Sequence, residues 1–143
     1  YPEVILSGRR VNDMMGIFVA NKVLKIMTHK GIQVRGSKVL ILGITFKENC
    51  PDIRNSKVPD IYKELKSFGM DISVFDPLAS KKQVRDVFGF KLIDKLNKYD
   101  SIILAVAHEQ FLNFDIENLK RNKKSVVFDL KAILDPQKVD ARL

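Results

Sequence analysis

The sequence predicts an α/β fold, an open, doubly wound sheet of parallel strands preceded by one long helix. Short continuous apolar runs, typical of strands buried on both faces, alternate along the chain with amphipathic segments of helical spacing. Strands that alternate with helices of this length pair in parallel through right-handed crossovers. The length of 143 residues suits one compact domain with an appended element.

The first predicted element is the long helix, over residues 10–30, which Gly31 ends. Its apolar side chains recur at helical spacing and form a wide stripe: Val11, Met14, Met15, Phe18, Val19, Val23, Leu24 and Met27. We expect the helix to pack along its whole length, against this domain or against another one.

The next predicted elements are a strand, a helix and a second strand. The run KVLILGI at 38–44 is apolar throughout, as in a strand buried on both faces. Residues 58–69 have one apolar stripe and end on a glycine, which predicts an amphipathic helix. Residues 71–76 form the second strand, which ends at a turn pair, Asp76 and Pro77.

The second half of the sequence predicts shorter elements. Two of them are apolar strands, and the others are a Ser-capped helix, a weak strand, a helical turn and a short helix. In chain order they are helix 80–88, a weak strand near 91–93, a helical turn over 92–100, strand 101–107, helix 113–122 and strand 125–130.

The composition excludes several classes of protein. A single cysteine excludes a disulfide framework and a zinc cluster, and it suits the cytoplasm. No apolar run approaches a membrane span, so we expect a soluble protein that does not bind membranes. The net charge of +8 favours phosphate-bearing partners, but the chain has no Trp and no interleaving of aromatic with basic residues, which disfavours nucleic acid. Because the chain opens on Tyr1, we expect it to be a fragment of something longer.

Candidate binding residues follow the predicted strands. In doubly wound sheets ligands bind outside the carboxyl ends of the strands, near the point where strand order reverses. Lys47 and Arg54 follow the first strand and Lys131 follows the last, so we expect these cations to converge on one edge. Phe46 offers an aromatic face beside them. The set suits a phosphate-rich ligand that carries a flat base.

Several of these residues also have structural interpretations. Lys47 can be a solvated loop lysine, and Arg54 can pair with Asp52 or cap a helix as readily as contact a ligand. His108, after the strand at 101–107, is more typical of a hydrogen-bonding residue than of a catalyst. Cys50 has no histidine nearby in sequence, which favours an inert thiol.

The glycine pattern argues against dinucleotide binding by a glycine-rich turn in this sheet. A dinucleotide fingerprint needs G-x-G-x-x-G between the first strand and its helix, and only Gly43 stands in LGITFKEN. The predicted sheet is therefore Rossmann-like in shape, without that means of binding NAD.

Specific motifs resemble one family. The run GITFKENCPDIRNSKVPDI, followed by YKELKSFGMDISVFDP, strongly resembles the C-terminal, UDP-binding domain of the UDP-glucose/GDP-mannose dehydrogenase family. AVAHEQF and VVFDLKAIL resemble its later strand ends, and the wording FKENCPDIRNSK is closest to the branch acting on UDP-N-acetylhexosamines. The opening PEVILSGRRVNDMMGIFVA, with Arg9 and Arg10 in a G-R-R-x-N-D signature, resembles the end of the long helix on which those enzymes dimerise. Residues 1–34 are accordingly assigned to that helical region and 35–143 to the UDP-binding domain.

The resemblance implies an activity for the whole enzyme. The family oxidises the C6 hydroxymethyl of a nucleotide sugar to a carboxylate with two NAD⁺, which supplies polysaccharide precursors. This chain is then the substrate-binding part of a cytoplasmic, homodimeric, NAD-dependent UDP-sugar 6-dehydrogenase. The family's NAD-binding domain and the G-G-x-C segment with its catalytic cysteine lie upstream of this sequence. We therefore expect no catalytic residue here and no activity from the chain alone.

The resemblance also implies residue roles. Phe46 and Lys47 match the family's Phe-Lys pair at the substrate, and Lys131 stands where the UDP-glucose branch usually has a substrate-contacting Arg. Arg54 matches the Arg of a D-x-R motif that reaches the cofactor's phosphates across the domain cleft.

Two other functions compete with this one. A receiver-like regulatory module is the first, but it needs clustered acids for Mg²⁺ at the end of the first strand, where this chain has Lys47. The second is a non-catalytic module that serves mainly in dimerisation, through the helix at 10–30.

Overall fold

A computed structural model of the chain describes residues 14–143 and contains the predicted doubly wound sheet. Within the described residues the sheet has five strands, all parallel, in the order β2-β1-β3-β4-β5. The strands are β1 (Lys38–Leu42), β2 (Asp71–Phe75), β3 (Ser101–Leu104), β4 (Val126–Asp129) and the short β5 (Ala141–Arg142).

The helices connect and cover these strands. They are α1 (Met15–His29), α2 (Val58–Ser67), α3 (Lys81–Phe88) and the one-turn α4 (Ile116–Leu119), with 3₁₀ turns at Glu109–Asn113 and Pro136–Lys138. Residues 10–13 of the predicted first helix lie outside the described residues, as do Arg9 and Arg10.

The core has two layers because side chains alternate across the strands. Val39 and Ile41 of β1 belong to a buried cluster with residues of α1 and α2, among them Val23. Leu40 and Leu42 belong to a second cluster, on the other face, with Phe111, Ile116 and Leu119. Helices and turns therefore pack on both faces of the sheet.

Gly16 brings the first turns of α1 and α2 into direct contact. A Cβ atom on Gly16 would lie 2.7 Å from Asp60 Cβ and 2.9 Å from the Asp60 carbonyl carbon. A larger residue would therefore push the two helices apart. This contact fixes the helical wall beside the carboxyl edge of the sheet.

Two predicted elements between α3 and β3 are wrong. Within the described chain, residues 91–98 form neither the weak strand near 91–93 nor the helical turn predicted over 92–100. The segment instead buries Leu92, and the Ile93 N–H donates a single hydrogen bond of 2.9 Å to the Val74 carbonyl. Its apolar side chains thus pack on the core without any repeating backbone hydrogen bonds.

The helix predicted over 113–122 is also wrong in extent. The chain forms the 3₁₀ turn first, and α4 begins only after Asp115, whose side chain accepts from the Asn118 N–H. The strands are shorter than predicted, and β1 ends before Gly43, which has a φ of 101°. The sequence did not predict β5.

Candidate functional site

The carboxyl ends of β1 and β3 form the topological switch point. The chain runs from β1 to β2 on one side and then crosses back to β3 on the other side of β1, so strand order reverses here. A Cβ atom on Gly43 would lie 2.5 Å from Val106 Cβ and 2.9 Å from Val106 N. Glycine is therefore required for the ends of the two strands to approach this closely.

A cleft of about 240 Å³ opens at this edge. Its walls come from the first turns of α1 and α2 and from the segments that follow β1, β3 and β4. The lining residues are Met15, Val19, Thr45, Phe46, Asn55, Ser56, Lys57, Val58, Ile61, Ala105, Val106, Leu130, Lys131 and Leu143. The cleft is largely apolar inside, and the cationic residues among those lining it are two lysines.

The structure brings two of the four predicted binding residues together in this cleft. Phe46 and Lys131 both line it, and Phe46 is 56% exposed, so its ring is available to a ligand. Lys47 follows on the same loop and is exposed, but it is not among the lining residues. Arg54 lies instead in a separate shallow depression, beside Leu78 and Gln83.

Sequence reasoning missed Asn55, Ser56 and Lys57 as lining residues. They precede α2, which carries Pro59 in its first turn. Since the first turn of the helix after β1 lies at the carboxyl edge in this fold, its position was the signal that could have identified them.

Arg54 forms an ion pair with Asp52, which is one of the alternatives that the sequence left open for this residue. The Arg54 Nε lies 3.0 Å from Asp52 Oδ1, and Nη2 lies 2.9 Å from Asp52 Oδ2. The hydrogen bonds from Arg54 lower the pKa of Asp52. The Arg54 side chain remains 85% exposed, and exposed pairs are weak, so the pairing leaves its predicted cofactor contact open.

A buried hydrogen-bond network centred on His108 lies beneath the loop after β1. The His108 Nδ1 accepts from the Asn49 backbone N–H at 2.9 Å. Its Nε2 lies 3.0 Å from Asp76 Oδ2 and 3.2 Å from Thr45 Oγ1. Because Nδ1 accepts a hydrogen bond, the ring hydrogen is on Nε2 and points at the carboxylate. Both ring nitrogens are thus satisfied inside the protein.

The two carboxylate oxygens of Asp76 accept four hydrogen bonds. Besides His108, the carboxylate accepts from the backbone N–H groups of Ile44 at 2.8 Å, Leu78 at 2.8 Å and Ala79 at 3.1 Å. Burial raises the pKa of Asp76, but the hydrogen bonds from His108, Ile44 and Leu78 outweigh it, so the pKa lies below its ordinary value. The side chain is therefore a carboxylate at neutral pH.

Asp129 holds the loop that follows β4. Its Oδ1 accepts from the Lys131 N–H at 3.1 Å and its Oδ2 from the Leu134 N–H at 2.8 Å. Ala132 between them has a φ of 56°, in the left-handed region. The backbone that carries Lys131 into the cleft is thus fixed by its own strand.

Residues 14–143 contain neither a cluster of metal ligands nor a helix that could cross a membrane. No group of three or more His, Cys, Asp or Glu residues there is placed to hold a metal ion. No helix in the same range is long and apolar enough to cross a membrane. Cys50 is a half-buried free thiol outside the cleft.

Comparisons with known proteins bear on this cleft. A family model described as "UDP-glucose/GDP-mannose dehydrogenase family, UDP binding domain" matches residues 40–136. The chain is similar to proteins named UDP-N-acetyl-D-glucosamine 6-dehydrogenase from Salmonella typhi, 46% identical, and from Pseudomonas aeruginosa, 45% identical. Each match covers 100% of this chain and 35% of the relative, so the chain spans about a third of their length.

The fold is also similar to that of a solved structure. It matches the crystal structure of an NDP-N-acetyl-D-galactosaminuronic acid dehydrogenase from Methanosarcina mazei with a TM-score of 0.82 and 21% identity. The match covers 92% of this chain and 28% of the other one. At that identity the likeness concerns the fold alone.

Proposed function

Because the chain belongs to the UDP-glucose/GDP-mannose dehydrogenase family and contains its UDP-binding domain, we propose that it is the substrate-binding part of an NAD-dependent nucleotide-sugar 6-dehydrogenase. The names of its relatives support a UDP-N-acetylhexosamine as the substrate. The whole enzyme would oxidise the C6 hydroxymethyl of that sugar to a carboxylate. Water would supply the second carboxylate oxygen, and two NAD⁺ would supply the oxidising equivalents as hydride acceptors.

The observation that carries this proposal is the cleft at the switch point. It combines the exposed ring of Phe46 with Lys57 and Lys131 at the edge of an apolar interior. A flat base can stack on the ring while the diphosphate is held by the lysines. Hydrogen bonds to charged groups contribute about 1.5–3 kcal/mol each. Because an ammonium lacks the planar fork of a guanidinium, Lys131 would act on phosphate as a point charge.

Lys47 extends the same site in this proposal. It is exposed on the loop that carries Phe46, and its side chain is long enough to reach over the cleft mouth towards the sugar or the diphosphate. Its role rests on that position and on the family motif, because it does not line the ligand-free cleft.

NAD would be held mainly outside this chain. β1 leads into a loop through Gly43 and reaches α2 only at Val58, rather than turning directly into a helix through glycines that could cradle a pyrophosphate. In this chain only Arg54 is proposed to reach the cofactor, by exchanging its exposed pair with Asp52 for a phosphate. NAD supplies the hydride acceptor, and the residues of this chain bind and orient the nucleotide part of the substrate.

We also propose that the enzyme is a homodimer through α1. Large apolar side chains are exposed where it begins: Met14, which caps the helix, at 57%, and Ile17 and Phe18 in its first turn at 42% and 51%. Apolar patches of this kind mark contacts with other proteins. Sedimentation of the Phe18→Asp variant tests this: the proposal predicts a monomer, and a dimer as tight as that of the unmodified chain would contradict it.

Calorimetric titration of the 143-residue chain with UDP tests the binding proposal. Lys131→Ala and Phe46→Ala should each weaken binding, the former by about ten- to a hundredfold from the loss of one charged hydrogen bond. Lys124→Ala, an exposed lysine at the opposite edge of the sheet, is the matched control and should bind like the unmodified chain. Equal binding by Lys131→Ala and its control would contradict the assigned site.

A further inference from the structure

We propose that His108 is the positioning residue for the ligand-facing segment 45–49. In this proposal the imidazole holds the segment against the ends of β2 and β3 through two separate hydrogen bonds. The consequence for UDP affinity rests on the proposed function, whereas the positioning itself does not.

The first hydrogen bond fixes the far end of the segment. The Asn49 N–H donates to His108 Nδ1 at 2.9 Å, across 59 positions of sequence. The Asn49 side chain adds a reciprocal link, since its Oδ1 accepts from the Glu109 N–H at 2.9 Å. Asn49 has a φ of 58°, a conformation that asparagine tolerates better than most residues. The loop after β1 and the chain after β3 are therefore joined twice at this point.

The second hydrogen bond fixes the near end. The His108 Nε2–H points at Asp76 Oδ2, and the same oxygen accepts from the Ile44 N–H at 2.8 Å. Thr45 Oγ1, 3.2 Å from Nε2, donates in turn to the Lys47 carbonyl at 3.0 Å. Phe46 and Lys47 thus lie between two anchored points.

The His108 side chain cannot contact a ligand in the cleft. The side chain is fully buried, and it does not line the cleft. Phe111 packs against the ring, with centroids 5.4 Å apart. Any effect of His108 on binding must therefore pass through the segment that it holds.

Two substitutions separate the two hydrogen bonds. The Asn side-chain oxygen can take the place of Nδ1, so His108→Asn keeps an acceptor for the Asn49 N–H and loses the reach to Asp76. The Gln side-chain nitrogen can take the place of Nε2, so His108→Gln keeps a donor for Asp76 and leaves the Asn49 N–H without its acceptor. Each variant leaves buried polar groups unpaired, so each is the stability control for the other.

Amide hydrogen exchange in the ligand-free chain decides the positioning role. We expect the Asn49 amide to exchange at least about tenfold faster in His108→Gln than in His108→Asn, after scaling to a core amide such as Ile41, because only the former loses the acceptor. Equal scaled rates would overturn the proposal and leave His108 as an ordinary core residue.

The unmodified chain gives a second test that does not depend on how the variants fold. Nitrogen-15 shifts of the His108 ring should show a hydrogen on Nε2 and an unprotonated Nδ1 at neutral pH. A hydrogen on Nδ1 would exclude the bond from Asn49 and overturn the proposal.

Calorimetry with UDP then tests the consequence for binding. His108→Gln should bind UDP several-fold more weakly than His108→Asn, although neither variant alters a residue that lines the cleft. If both variants bind like the unmodified chain while Lys131→Ala does not, the predicted effect of His108 on UDP affinity is wrong and the proposed function stands. If the unmodified chain itself fails to bind UDP, the proposed function is wrong, and the exchange rates still decide the positioning role.

Discussion

The loops that follow β1 and β4 both reach the cleft, and they are held by different means. The loop after β1 is anchored from other strands, by Asp76 at the end of β2 and His108 beyond β3. The loop after β4 is anchored by Asp129 of its own strand. Both depend on a buried aspartate at a strand end, but only Asp76 joins three strand ends.

The difference explains how each ligand-facing residue is placed. Phe46 lies on a long loop, where its N–H donates to the Asp52 carbonyl at 2.7 Å. The same loop is held at Asn49 by His108, so the position of Phe46 also depends on the packing of the carboxyl edge. Lys131 lies two residues beyond Asp129, and its position depends on one short turn. A substitution at Asp76 should therefore disturb the ends of several strands at the carboxyl edge. A substitution at Asp129 should disturb only the loop after β4.

The largest expected effect is that of Asp76→Asn. Whichever way the amide is turned, its nitrogen would face two of the four donors that the carboxylate satisfies. Each unsatisfied buried group costs about 1–3 kcal/mol, so we expect the free energy of unfolding to fall by about 3 kcal/mol. Urea denaturation measures the loss, and hydrogen exchange should also rise at Ile44 and Asn49. A loss below about 1 kcal/mol would contradict the joining role of Asp76.

Acid should weaken the same network. The pKa of Asp76 is lowered in the folded chain, so its contribution is present above the unfolded pKa of about 4 and is lost as pH falls through the folded pKa. Urea denaturation between neutral pH and pH 3 should show stability falling below about pH 4, with a shallower fall in Asp76→Asn. Asp52→Asn is the control: the pKa of Asp52 is also lowered, but the residue lies at the surface, so its effect on the slope should be small. A slope that Asp76→Asn leaves unchanged would contradict this assignment.

Asp129→Asn should have a smaller and more local effect. Its amide nitrogen would face only one donor, the N–H of Lys131 or of Leu134. We expect a loss of about 1–2 kcal/mol in urea denaturation. Hydrogen exchange should rise at these two amides and stay unchanged at Asn49. Faster exchange at Asn49 would show that the two loops are not held separately.

The smallest expected effect is a gain from Ala132→Gly. Ala132 has a φ of 56°, where an L-residue is strained by about 1–2 kcal/mol, and the entropy cost of glycine offsets part of the relief. We expect thermal denaturation to show a net gain of about 0.5 kcal/mol. Asn55→Gly is the matched control, because Asn55 has a φ of 63° and asparagine tolerates this region. An equal gain in both variants would argue that strain at Ala132 is not the cause.

The sequence predicted the elements whose signal is local. Continuous apolar runs identified β1 and β3, and amphipathic spacing identified α2. The Ser80 cap was predicted correctly, since its side chain accepts from the Gln83 N–H. The segment 91–98 was mispredicted because its apolar residues are buried by tertiary packing, which sequence spacing alone does not reveal.

The arrangement of the candidate site was predicted only where it depends on position along the chain. Position after a strand was enough to place Phe46 and Lys131 at the same edge of the sheet, where both line one cleft. Their contact with a ligand stays a prediction. Position after a strand could not identify the network of His108, Asp76 and Asn49, because these residues lie far apart in sequence and meet only when three strand ends are aligned. Nor could it separate Arg54 from the cleft, since its pairing with Asp52 depends on how the loop bends.

Chemical-shift mapping of the nitrogen-15-labelled chain during a UDP titration shows whether the loops after β1 and β4 bind the same ligand. We expect the amides of both loops, at Phe46, Lys47 and Lys131, to shift together and to fit one dissociation constant. Shifts confined to the opposite edge of the sheet, around Arg35 and Lys124, or to one loop alone, would contradict this expectation.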